Sequence, residues 1–257
     1  MIKAVFFDVD GTLFSHTMHQ VPESTRSAIC KLKRHNIQCV VATGRQLAEM
    51  EKLPVTGIDF DGYITLNGQL CLDGQRNVLK GNPITGSSKD RIIRLFEEKK
   101  IPIILAEQDS MYINFVNRQV ALVQQAISSA LPEIGSYTGN DIYQAIAYIG
   151  KEEEDSFQAV LEDCKMTRWN DYAVDIISRR GGKTSGIREY LAQSQIPRSQ
   201  TMAFGDGEND IEMLRYVQIG VAMGNASPEV KAAADYVTET VDRGGIENAL
   251  KHFGLIE

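Results

Sequence analysis

The run Ile2-Lys3-Ala4-Val5-Phe6-Phe7-Asp8-Val9-Asp10-Gly11-Thr12 is apolar and β-prone, and it ends in two carboxylates, a glycine and a hydroxyl. Such a run reads as a buried strand that delivers acids to the mouth of a sheet. Asp8 and Asp10 share a face for as long as the chain stays extended. Gly11 permits the turn that brings backbone close to a ligand. Two acids on one rim make a hard-cation site, or a nucleophile beside an acid/base. Three further polar clusters stand out along the chain: Thr43-Gly44-Arg45, Lys183 after Gly181-Gly182, and Gly205-Asp206-Gly207-Glu208-Asn209-Asp210.

The elements that must position these groups follow from periodicity and turn chemistry. After a polar loop containing His16 and His19, read as solvated, Pro22 opens a helix whose apolar residues keep helical spacing as far as Asn36. Ile37 to Ala42 reads as a strand ending at Thr43, and Gln46 to about Leu53 as a helix closed by Pro54. Tyr63 to Leu66 reads as a third strand, and Asn67-Gly68 as a hairpin turn into Gln69 to Leu72. This βαβ rhythm predicts a Rossmann-like, doubly wound parallel sheet, whose ligands bind beyond the carboxyl ends of the strands.

The rhythm changes near Gly81-Asn82-Pro83. Helices are expected over 88–99, 118–130 and 152–164, strands over 103–106, 111–115 and 142–149, and a hairpin over 167–177. Strands joined by tight turns pair antiparallel. From Gly181 the α/β pattern returns, with a helix from Thr184, strands at 201–204 and 219–222, and an edge strand at 236–238. The expected organisation is therefore an α/β core made of 1–82 and 183–257, interrupted by an α+β insertion at 83–182.

Composition bounds the function. With 257 residues, 43% hydrophobic and 24% charged, the chain is an ordinary globular protein. Its net charge of -7 argues against nucleic acid as a partner. No apolar stretch is long enough to span a bilayer. Four cysteines without a Cys-x-x-Cys pair, and no signal peptide, point to reduced thiols and a cytoplasmic location.

In combination and order, these four clusters resemble the haloacid dehalogenase-like (HAD) superfamily. The closer resemblance is to its Cof-type phosphatases, class IIB, which carry a large α+β cap inserted after the third core strand. The resemblance implies Asp8 as the nucleophile that forms an aspartyl-phosphate, and Asp10 as the acid/base. It implies Mg²⁺ held by Asp8, the main-chain carbonyl of Asp10, and Asp206, with Asp210 behind them orienting its waters. Thr43 and Gly44 would bind a phosphoryl oxygen. Lys183 would offset its charge, and Asn209 would donate to phosphate or fix Lys183. Thr12 and Gly11 would shape the loop after the nucleophile, whose N–H groups can meet the phosphoryl oxygens.

Arg45 would serve the substrate or pack with the loop, and is left without a catalytic role. Arg179 and Arg180, where relatives often have Pro-x-Gly before the motif lysine, add positive charge ahead of Lys183. The implied activity is hydrolysis of small phosphorylated metabolites, with the cap closing over the substrate. Sugar phosphates come first, and cofactors such as pyridoxal phosphate or flavin mononucleotide next. Phosphomutase-type transfer shares these motifs and stays open, as does a phosphate- or Mg²⁺-responsive binding module. Against such a module, the strand ending at Asn67-Gly68 carries no acid. Transport ATPases of the superfamily carry Lys where this chain has Asp10, and they need membrane helices.

Overall fold

The computed structural model describes residues 1–51, 57–127 and 129–257. The chain divides into two compact units, Met1–Lys80 with Lys183–Glu257, and Gly81–Gly182. In chain order the strands are β1 (Ala4–Phe7), β2 (Gln38–Ala42), β3 (Gly62–Thr65), β4 (Leu70–Asp73), β5 (Val78–Gly81), β6 (Ile103–Ala106), β7 (Met111–Ile113), β8 (Gln144–Ala147), β9 (Cys164–Asn170), β10 (Ala173–Ser178), β11 (Thr201–Gly205), β12 (Ile219–Ala222) and β13 (Tyr236–Val237). The helices are α1 (Glu23–Arg34), α2 (Leu47–Glu51), α3 (Gly86–Glu98), α4 (Arg118–Ala126), α5 (Glu154–Ala159), α6 (Lys183–Ser194), α7 (Ile211–Tyr216), α8 (Pro228–Ala232) and α9 (Gly245–His252).

The first unit is built on an eight-stranded sheet of order β13-β12-β11-β1-β2-β3-β4-β5. β1 pairs in parallel with β2 on one side and β11 on the other, and all four of its residues are fully buried. Burial on both faces explains why its sequence is uninterrupted rather than alternating. Phe6 lies in a cluster with Ile187, Tyr190 and Leu191 of α6 and Met213 and Leu214 of α7. Phe7, on the opposite face, stacks on Phe204 with ring centroids 5.4 Å apart. Each such side chain contributes about 1.5–3 kcal/mol by leaving water. α1 buries Thr25, Ala28, Ile29 and Leu32, the stripe expected from its period, and packs on β2 and α9.

The sheet is α/β and parallel from β13 to β3. Its β3–β4 pair is antiparallel, as the hairpin reading of Asn67-Gly68 required. The chain winds from β1 to β2 and β3 in one direction, and from β11 to β12 and β13 in the other. β1 therefore lies at the point where strand order reverses, the place where open α/β sheets bind ligands.

The second unit is a five-stranded antiparallel sheet of order β7-β6-β8-β10-β9. α3 and α5 cover one face through Ile92, Phe96 and Phe157, and α4 meets the other through Val120 and Val123. Several expected bounds move. α4 ends at Ala126 rather than Ala130, and Ser128 lies outside the described residues. α5 stops at Ala159, because Cys164 starts β9 and pairs with Ser178. The last part of the helix expected over 46–53, with Pro54, also lies outside the described residues.

A buried carboxylate organises one end of this sheet. Glu107, 2% exposed, accepts hydrogen bonds from Tyr112 Oη and Thr138 Oγ1 at 2.5 Å, Ser110 Oγ at 2.9 Å and Asn140 Nδ2 at 3.0 Å. Burial alone would raise its pKa, but the hydrogen bonds from Thr138, Tyr112, Asn140 and Ser110 hold it below the usual glutamate range. A lowered folded value stabilises the unit above the unfolded pKa of about 4.3, and that contribution is lost as pH falls through the folded value. Glu107→Gln keeps the shape but replaces an acceptor with an NH₂. It is expected to cost about 1–3 kcal/mol at pH 7 and to flatten the acid side of the stability profile. The only tryptophan, Trp169, lies in this unit, so its fluorescence during urea unfolding reads the effect directly. Parallel pH profiles for wild type and variant would contradict this account.

Candidate active site

The carboxyl ends of β1, β2 and β11 bring the motif residues together. Lys183, the first residue of α6 and 2% exposed, donates through Nζ to Asp8 Oδ1 at 2.5 Å and to Asp210 Oδ1 at 2.7 Å. Asp210 Oδ2 accepts from the main-chain N–H groups of Asp206 and Gly207, each at 3.0 Å. Asp206 is held in turn by Thr12 Oγ1 at 2.8 Å and Asn225 Nδ2 at 3.0 Å. Asn225 also donates to the Gly11 carbonyl at 2.9 Å. Gly11 turns at φ 77°, and a Cβ there would collide with the Asp206 carboxylate. Only glycine lets the two loops close on each other.

Carboxylate atoms of Asp8, Asp206 and Asp210 lie within 4.8 Å of one another. The crowding registers in their protonation. Burial first, then Asp210, Asp206 and Asp10, push Asp8 well above the usual carboxylate range, against the pull of Lys183. Burial, followed by Asp210, pushes Asp206 up to about 6. Burial disfavours the Lys183 ammonium, yet Asp210 and Asp8 more than reverse that and hold it protonated. One ammonium thus faces three carboxylates.

Asp10 stands apart from this cluster. Its carboxylate accepts a bidentate pair from Arg45, Nε to Oδ2 at 2.6 Å and a terminal nitrogen to Oδ1 at 2.8 Å, and His16 Nε2 lies 3.0 Å from Oδ1. Burial opposes ionisation, but hydrogen bonds from Arg45 and His16, with their charges, hold Asp10 far below the usual range. The same contact raises His16. The loop is solvated as expected, with residues 16–20 exposed, but His16 also turns a ring nitrogen to Asp10, a contact that the sequence did not indicate. Its loop folds back through Gly11 N to Phe14 O and Ser15 N to Gln20 O, both 2.9 Å, and the ring packs edge-on against Phe14. Arg45 packs with this loop, one of its two expected roles, although its bidentate hold on Asp10 was not foreseen. The Thr-Gly-Arg order at a strand end was its only signal.

Other residues have partners that the sequence did not indicate. The Gly11 and Thr12 amides donate to the carbonyls of Phe14 and Val9, so they are committed to the loop itself. Asn209 donates to Asn67 Oδ1 at 2.9 Å, a partner that the sequence reading did not foresee. Asn225 escaped notice too, although it follows a strand as Asp206 does. Thr43 is buried and its Oγ1 accepts from Arg45 N at 3.1 Å, which leaves its hydroxyl hydrogen to donate. Arg179 donates through Nε to the Glu162 carbonyl at 2.8 Å within the second unit.

Residues 5–250 match the family model of haloacid dehalogenase-like hydrolases. The chain belongs to this family. A "putative phosphatase" of Bacillus subtilis, YkrA, is 32% identical over 99% of both chains. Among solved structures, BT1666 of Bacteroides thetaiotaomicron, described among the HAD phosphatases, superposes with a TM-score of 0.91. It is 32% identical, with 100% of this chain and 96% of that one covered. BT4131, described as a HAD subclass IIB sugar phosphatase, gives a TM-score of 0.86 at 34% identity, covering 99% of this chain and 100% of that one. The protein is an enzyme of the phosphatase class, with the α/β core and inserted α+β unit of its structural neighbours. No helix among the described residues is long and apolar enough to cross a membrane.

Proposed function

We propose that this hydrolase is a Mg²⁺-dependent phosphomonoesterase of small phosphorylated metabolites, sugar phosphates foremost, acting through an aspartyl-phosphate. The observation that carries the reading is the division of labour between two acids of one loop. Asp8 sits in a carboxylate cluster with Lys183, whereas Asp10 is held apart by Arg45 and His16. The likeness to the sugar phosphatase BT4131 supports the substrate class. Free thiols at all four cysteines support a cytoplasmic location. In this reading Gly81–Gly182 is the cap that selects substrates, and the other unit is the catalytic core.

The donor set fits Mg²⁺. It is all oxygen, as a hard cation requires, and it carries more negative charge than Lys183 can offset. Asp8, Asp206 and the Asp10 carbonyl would hold the ion, with Asp210 fixing Asp206 and Gly207 through their amides. When bound, the ion neutralises the repulsion between the phosphoryl dianion and Asp8.

Asp8 attacks phosphorus, the P–O ester bond breaks, and the leaving alkoxide takes a proton from the Asp10 carboxyl. Water then gives a proton to the Asp10 carboxylate and attacks phosphorus. The Asp8–phosphorus bond breaks, releasing phosphate. Thr43, Gly44 and Asn209 grip the phosphoryl oxygens, and Lys183 favours the ionised form of Asp8 and aims it. Arg45 and His16 hold Asp10 ionised, the form the second step needs, so the first step requires substrate binding to loosen this clamp before the Asp10 carboxyl carries a proton.

Phosphate release from a panel of sugar and cofactor monoesters, with Mg²⁺ and with a chelator, tests the proposal. Release that survives chelation, or an acceptor phosphorylated without release, would reject it. Asp10→Asn is expected to slow alkyl phosphates by about 10²–10⁴-fold, the usual worth of a general acid/base. In kcat/KM, which leaves out the hydrolysis step that both esters share, p-nitrophenyl phosphate should lose much less, since nitrophenolate leaves without a proton. Equal losses in kcat/KM on both esters would remove Asp10 from the acid role.

A further inference from the structure

The turn after β3 is made of three successive residues in the left-handed region, Leu66 at φ 51°, Asn67 at φ 53° and Gly68 at φ 83°. Glycine takes this conformation freely; a leucine there is strained. Strain of this kind persists only where the surroundings over-determine it, and it gathers at functional sites. Here the loop after β2 supplies the constraint. Leu66 N donates to the Arg45 carbonyl at 3.0 Å, and Asn67 N to the Thr43 carbonyl at 2.9 Å.

The Asn67 side chain is 4% exposed and lies flat against Gly44, where a Cβ would come within 3.2 Å of both its amide nitrogen and its oxygen. Its Oδ1 accepts from Asn209 Nδ2 at 2.9 Å. In the sheet, β3 is separated from β11 by β2 and β1. A single side chain thus joins the loop after β11 to the loop after β2, across the strand that ends in Asp8.

We infer that Asn67 is a positioning residue that sets the spacing between the two phosphoryl-gripping loops, Thr43-Gly44 and Asn209. The inference rests on the phosphatase reading above. Asn209 is half-buried on a short turn, and without its partner its amide would have to be ordered anew at each binding event, a cost that falls on affinity. Gly44 belongs to the same device, because any larger residue would press on the Asn67 amide.

Asn67→Gly separates backbone from side chain: it keeps the left-handed conformation without strain and deletes the amide. We would measure kcat and KM on p-nitrophenyl phosphate with Mg²⁺, and the Ki of inorganic phosphate, for Asn67→Gly, Asn209→Ala and the double variant. Each single change is expected to raise KM and the phosphate Ki about tenfold, the effect of losing one oriented hydrogen bond, with a smaller fall in kcat. The double variant should be no worse than Asn209→Ala, as expected for residues acting as one unit. A merely structural role would reduce the active fraction, and with it kcat, while KM and Ki stayed at wild-type values. That outcome in Asn67→Gly, or independent multiplying effects in the double variant, overturns the brace. Wild-type KM and Ki in Asn209→Ala instead overturn the phosphoryl-binding role of Asn209, and the inference falls with it.

Discussion

Asp8→Asn is expected to lower kcat on p-nitrophenyl phosphate by about 10⁴- to 10⁶-fold, the range found when a residue of a covalent catalytic unit is removed. The substitution is nearly isosteric, and its amide oxygen can still accept from Lys183, which donates to Asp8 at 2.5 Å. What it removes is the anionic oxygen that attacks phosphorus. Stability should not explain the loss. Burial and the neighbouring acids push Asp8 well above the usual range, so its ionised form costs the metal-free fold something at neutral pH. A neutral side chain lacks that cost. The metal-free variant should therefore unfold no earlier than wild type at pH 7, as followed by thermal melting. A wild-type kcat in Asp8→Asn would dismiss it as the nucleophile.

Lys183→Met should have the largest effect on stability. The ammonium is buried between Asp8 and Asp210, whose side chains are 9% and 0% exposed. Removing one partner from a buried ion pair leaves uncompensated charge and costs about 3–5 kcal/mol. At about 2–4 °C per kcal/mol for a domain of 150–250 residues, the midpoint should fall by roughly 6–20 °C. Methionine preserves most of the volume, so the loss reads charge rather than packing. Combining Lys183→Met with Asp8→Asn should recover part of the midpoint, because one of the two stranded carboxylates is gone. A midpoint unmoved by Lys183→Met would mean that the triad contributes nothing to the fold. Catalysis should fall as well, since Asp8 would lose the group that favours its ionised form and orients it.

Much of the site was legible because its chemistry follows strand ends. An apolar run ending in Asp8-Val9-Asp10-Gly11 can only place its polar residues at the rim, since strand period and the glycine turn are local properties. The same logic located Thr43 and Asp206. Lys183 was found by the resemblance, and its burial between two acids was not. The second unit was legible as a change of rhythm, from crossover connections to tight hairpins. The ends of α4 and α5 were not, because helical periodicity continued beyond the point where packing stopped it. Cys164 fits the α5 stripe, yet its backbone pairs with Ser178 in a strand.

The partners of Arg45, Asn67 and Asn225 were missed for one physical reason. Each of these residues works through a partner distant in the chain, and no spacing rule reports which loops of a sheet become neighbours. The sequence by itself determined which acids reach the rim, because strand alternation and turn residues act over a few positions. The tertiary structure alone decided their company: Asp8 with Lys183 and Asp210, Asp10 with Arg45 and His16, and Asn67 with Asn209. Those meetings depend on the order in which β11, β1, β2 and β3 lie side by side, and that order is settled by how the whole core packs.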